Sequence, residues 1–210
     1  MSSWHAKAYG GYASDSVEAQ ENALMMRDLL VSLGWTENAV AGLLGNQASE
    51  SGFNPWRWEG DTVLASTDTA LIRESMVHGY GLFQFTPAGK YIYSSYAQGL
   101  SEYGPNYSDR TGNLLDGAAQ LRYVDAGYGG YYPTDAYPLS FQAFKTSTAS
   151  PAELASAWLY NYERPADPGA TESYRRQQAE AWYSFLTGNP YIGGLHVWLL
   201  KYIKNKRRRG

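Results

Sequence analysis

The sequence predicts an α+β fold that is mainly α, with a small β-hairpin or sheet. Three observations lead there. Apolar residues recur at helical spacing in a series of runs along the chain, each bounded by capping residues. Between two of these runs lies a stretch with short β-branched and Gly/aromatic segments. The 210 residues fit one domain of residues 1–187 and a short appendage at 188–210.

Residues 1–16 are rich in Gly, Ser and Tyr and read as irregular. A first helix spans about Val17 to Leu33, with Ala19, Ala23, Met26, Leu30 and Leu33 on one face and Gly34 after its end. A second runs from Glu37 to Glu50, with Thr36 as N-cap and Val40, Leu43 and Leu44 as its apolar stripe. Gly52 can close it in a left-handed conformation, and Asn54-Pro55 prevents its continuation. Thr62-Val63-Leu64 and Gly81 to Phe85 are candidate strands, and Thr69 to His78 and Tyr91 to Leu100 candidate short helices. Leu114, Leu115, Ala118 and Leu121 mark another helix. The loop Ala126 to Pro138 then either edges a binding cleft or merely connects. Ser150-Pro151-Ala152-Glu153 is a capping box with proline at the first helical position. The last helix of the domain spans about Thr171 to Leu186, before Gly188 and Pro190.

Composition removes several classes of function. The chain has no cysteine and only three histidines, His5, His78 and His196, far apart, so a zinc peptidase site of ordinary spacing is not expected. No metal or cofactor is called for. Six of the 17 basic residues lie in Lys201 to Gly210, leaving 11 against 20 acidic residues in the rest. The body is therefore no polyanion binder, and no specific nucleic acid partner is expected. The appendage places Ile192, Leu195, Leu199 and Ile203 along one helical face before its basic end. It reads as a docked helix, a linker, or a contact to an anionic membrane or wall polymer. The N-terminus does not read as a secretory signal, and no run of apolar residues is long enough for a transmembrane helix.

The chemistry gathers between Asn46 and Pro87. Glu50 is seven residues after Leu43 and three after Gln47, so it shares their inward face. A carboxyl there, near a helix C-terminus, meets both desolvation and the negative dipole end, and each favours the protonated form. Glu50 is on this argument a general acid, and Glu50→Gln should leave stability unchanged or slightly raised. Asp61 is the preferred second carboxylate, by position only, with Glu59 and Asp68 as alternatives. Gln84 presents a two-way hydrogen-bonding amide beside glycines, suited to a sugar amide or hydroxyl, or equally to a turn. Trp58 and Tyr80, with Trp56, offer ring faces for sugars or for the core.

ESGFNP and GYGLFQFTP, with LYNYERP at Leu159 to Pro165, resemble the motifs of the phage tail lysozymes and, more distantly, of the soluble lytic transglycosylases. The resemblance covers roughly Asn22 to Leu186. It implies a lysozyme-like fold with a cleft between helical lobes and cleavage of the MurNAc–GlcNAc bond of bacterial peptidoglycan. By resemblance Tyr162 is the sugar-side residue of the third motif, while Glu163 is expected to make a structural contact. The protein would act from a virion tail, in company with other phage tail proteins, or as an endolysin released by a holin. A lytic transglycosylase, and a non-catalytic wall-binding or structural tail protein, are the alternatives.

Overall fold

The computed structural model describes residues 4–7, 9–61, 77–97 and 116–188. It is a helical body built around one central helix. In chain order the elements are α1 (Val17–Ser32), α2 (Glu37–Glu50), a 3-10 turn (Glu59–Asp61), α3 (Gly89–Ile92), α4 (Gly117–Asp125), α5 (Phe141–Lys145), α6 (Pro151–Trp158), a π-helical turn (Leu159–Glu163) and α7 (Gly169–Thr187). The N-caps read from sequence, Thr36 and Ser150, are in place, and Ser16, not foreseen, caps α1. Each accepts a hydrogen bond from the amide three residues on.

α2 is the central element, buried from Ala39 to Gln47 and packed against α6 and α7. Two glycines make that packing possible. A Cβ on Gly42 would stand 2.7 Å from Leu154 Cβ, and one on Gly45 would stand 2.5 Å from the carbonyl oxygen of Arg175. With backbones this close, α7 delivers Arg175 to the end of α2.

The aromatic residues are mostly core. Trp35, Phe144, Trp158 and Tyr131 form one cluster, and Phe83, Phe85, Tyr91 and Tyr123 continue it. Ring pairs of this kind add about 0.5–1.5 kcal/mol beyond their buried area.

No strand forms among the described residues, so the expected hairpin is reduced to a single antiparallel bridge, Trp58 with Tyr80. The candidate strand Gly81 to Phe85 is a turn. Gly81 and Gln84 have φ of 78° and 44°, which extended pairing does not permit. The candidate strand Thr62-Val63-Leu64 lies outside the described residues, as do nearly all of the Thr69–His78 helix and the appendage beyond Gly188. The helix expected over Tyr91 to Leu100 is instead the short α3, which ends at Ile92, and residues 93–97 are turns.

Gln120 of α4 ties two turns together. Its Oε1 accepts from the amide of Leu82 at 2.7 Å, and its Nε2 donates to the carbonyl of Pro55 at 2.8 Å. Gln120→Leu keeps the bulk and leaves both buried backbone groups unpaired. It should lower stability by about 2–4 kcal/mol, read from the denaturant midpoint. A loss below about 0.5 kcal/mol would show that water replaces both bonds.

Candidate active site

Each of the three motif turns contains one non-glycine residue at positive φ. Phe53 lies in ESGFNP at 60°, Gln84 in GLFQF at 44° and Arg164 in YERP at 48°. They are the only such residues among those described. Backbone held in this region costs about 1–3 kcal/mol per residue and gathers at functional sites. A π-helical turn, itself frequent at functional sites, leads into the third.

The first turn is pinned from both sides. Asn54 donates to the carbonyls of Lys7 and Gly10, each at 2.7 Å, so the irregular N-terminal segment straps the turn. Gly52 takes φ 54° after α2, and its amide donates to the carbonyl of Gln47 at 3.0 Å. The second turn leans on the first through the amide of Gly81, which donates to the carbonyl of Arg57.

Together the turns enclose two cavities. One, of about 330 Å³, is lined by Glu50, Arg57, Glu59, Gly60, Gln84, Thr86 and Glu163. The other, of about 160 Å³, has Phe85, Lys90, Tyr123, Tyr128, Tyr162 and Arg164 on its walls. Gln84, Thr86 and Glu163 line both, so they mark the junction.

Glu50 lies at the last turn of α2 with its side chain about 21% exposed. Arg175 of α7, nearly buried, meets its Oε1 at 2.5 Å. Asn46 steadies the arginine by accepting from Nη1 at 2.9 Å, while its own amide donates to the carbonyls of Gly42 and Ala155. The sequence argument counted desolvation and the helix dipole for Glu50 but not this guanidinium. Glu163 is the carboxyl whose pKa rises well above the usual range. Burial is the first cause and the charge of Glu50 the second, while Arg175 and the indole of Trp158 pull the other way.

The other expected site residues divide. Gln84 is on the cleft, but its Nε2 donates to the carbonyls of Arg57 and Gly81, so the amide nitrogen serves the turn. Tyr162 reaches the smaller cavity by an edge. It is 8% exposed and stacks on Trp158 at 4.3 Å between centroids. Trp58 and Tyr80 are each 1% exposed and pack on one another, 4.6 Å apart, so they support the turns from the core and present no face to a sugar. Asp61 ends the 3-10 turn, and its side chain lies outside the description, as does all of Asp68. Glu59 accepts from the amide of Gly79 at 2.8 Å and lines the larger cavity.

Arg175, and the places of Glu163 and Tyr128 on the cavity walls, escaped the sequence reading. The loop Ala126 to Pro138 does edge the cleft, through Tyr128 and Gly129. Asn161 fixes that loop by accepting from the amide and hydroxyl of Thr134 and donating to the hydroxyl of Tyr131.

The profile of the phage tail lysozyme family matches residues 21–186, which include all three motif turns and both cavities. The chain belongs to the phage tail lysozyme family. A curated relative, morphogenesis protein 1 of Bacillus phage B103, is 35% identical over 179 residues. That alignment takes in 84% of this chain and 42% of the relative, so the chain spans less than half of the relative's length. Among the described residues no helix is long and apolar enough to cross a membrane.

Proposed function

We propose that this chain is a muramidase that hydrolyses the MurNAc–GlcNAc β-1,4 bond of peptidoglycan. The observation that carries the reading is Glu50. It stands at the end of the central helix, in a cleft shared with Gln84 and Glu163, within the family-matched segment. Two carboxyl groups lining one cavity, one of them shifted toward its protonated form by burial, are what acid-assisted glycoside hydrolysis requires. Asp61 retains its proposed role only if its side chain reaches the same cavity.

The proposed setting is a phage tail, where the enzyme opens the wall locally as the particle enters the host. The name of the B103 relative, a morphogenesis protein, fits a virion part better than a lysis enzyme released late in infection. Other tail proteins are then the expected partners.

Digestion of purified sacculi followed by mass spectrometry of the fragments tests the reaction. The expected products carry reducing MurNAc ends, because water adds at the anomeric carbon. Fragments lighter by one water, with a 1,6-anhydro ring, would make the enzyme a lytic transglycosylase. Absence of any glycan product would leave a wall-binding or structural protein.

A further inference from the structure

The turn that follows Glu50 is held by a part of the chain that precedes the family-matched segment. Residues 4–7 and 9–12 form no helix or strand, yet they lie against Ser51 to Asn54. The amide of Tyr12 donates to the carbonyl of Gly52 at 2.8 Å. Asn54, fully buried, donates to the carbonyls of Lys7 and Gly10 and accepts from the amide of Lys7 at 3.2 Å. Asn22 of α1, also fully buried, joins the segment to the turn. Its Nδ2 donates to the carbonyls of His5 and Phe53, each at 2.8 Å, and its Oδ1 accepts from the amide of His5 at 3.0 Å. Phe53 is the strained residue of this turn, so one side chain fixes both it and the N-terminal segment.

The approach is backbone to backbone. A Cβ on Gly11 would stand 2.6 Å from the carbonyl oxygen of Ser51 and 2.8 Å from Nη1 of Arg57, which lines the larger cavity with Glu50. The far end of the segment is anchored as well. A Cβ on Gly117 would stand 2.6 Å from the Trp4 ring, so Trp4 packs directly on the first residue of α4. α4 in turn holds the carbonyl of Pro55 through Gln120.

We propose that this N-terminal strap is a positioning element for catalysis, which sets where α2 ends and so where the Glu50 carboxyl stands relative to substrate. This rests on the glycosidase reading above. Arg175 restrains the carboxyl itself, and the strap restrains the backbone that follows it. Buried amide side chains whose bonds are all made specify one arrangement of the segments they join. A misplacement of about 1 Å in a reacting group lowers a rate by about 10²-fold. The strap residues and Asn22 therefore act through Ser51 to Asn54, without touching the reacting atoms.

Gly11→Ala tests this in the full chain. Gly11 does not have a positive φ, so alanine suits its backbone and only the contact with the turn is changed. On sacculi, well below the melting temperature, the variant should lose about 10- to 100-fold in kcat with its apparent KM within about twofold of wild type. Tyr9→Ser, which alters an exposed side chain of the same segment, should leave both unchanged. In a Glu50→Gln background, Gly11→Ala should add less than about a twofold further loss, because the carboxyl that the strap positions is gone. Equal losses in the two backgrounds, or a wild-type kcat in folded Gly11→Ala, overturn the proposal. If Gly11→Ala does not fold, hydrogen exchange in the wild-type protein decides. The amides of Lys7 and Tyr12 should exchange at least about 10²-fold more slowly than in an open chain, and free exchange of both overturns the proposal. Glycan release that Gly11→Ala leaves intact defeats the strap alone, whereas no glycan release by wild type defeats the glycosidase reading and the positioning role with it.

Discussion

Glu50→Gln should reduce glycan release from sacculi by about 10²- to 10⁴-fold while the chain stays folded. The amide keeps the shape of the carboxyl and one acceptor for Arg175, but it carries neither an exchangeable acid proton nor a charge. The accompanying stability change has a sign that sequence and structure give differently. From sequence, removal of an inward carboxylate at a helix C-terminus should leave stability unchanged or slightly raised. The structure puts Arg175, about 6% exposed, against that carboxylate at 2.5 Å. With glutamine there, a nearly buried guanidinium loses its counter-charge, and the relief of repulsion on Glu163 offsets only part of that. A drop on the order of 1 kcal/mol is expected in thermal melting. Wild-type lysis by this variant would remove Glu50 from the chemistry. An unchanged melting curve would show that the ion pair carries no net stability.

The parts legible in sequence are those written in local signals. Thr36 and Ser150 announce helix starts because a side-chain oxygen three residues before an amide is a local geometry. Glu50 was placed correctly at the end of α2 because Gly52 and Asn54-Pro55 stop the helix there. The motif turns were found, and each contains a strained residue, but the strain itself is invisible in sequence. Phe53, Gln84 and Arg164 are not residue types that ask for positive φ. Gly81 to Phe85 accordingly looked like a strand when it is a turn.

What escaped depends on contacts between distant parts of the chain. Arg175 lies 125 residues beyond Glu50, and only the close packing of α7 on Gly45 brings it there. Trp58 and Tyr80 looked like sugar platforms, since an aromatic ring suits a sugar and a core equally well. Their burial decides for the core. Glu163 was given to structure and Tyr162 to the cleft. Ordinary α-helical spacing does not place neighbouring residues on one face. In the structure both residues line the smaller cavity, at the end of a π-helical turn. Nothing in LYNYERP announces that turn, so the pairing of Glu163 with Glu50 could be read only from the folded chain.

Arg175→Leu should be the most destabilising single change at the site. It keeps much of the aliphatic bulk between α2 and α7 but removes the guanidinium that answers Glu50 and Asn46. Breaking a buried ion pair from one side costs about 3–5 kcal/mol, because the partner charge is left uncompensated. Glu50 keeps some contact with solvent, which places the expected loss near the lower figure, about 3 kcal/mol, in urea unfolding. The repulsion between the carboxyls of Glu50 and Glu163 then loses the opposing charge of Arg175. Adding Glu50→Gln to Arg175→Leu should recover about 1–2 kcal/mol, because it removes the stranded charge. A double variant as unstable as the sum of the two single ones would mean that Arg175 supports the fold through packing and Asn46, with its charge contributing nothing through Glu50.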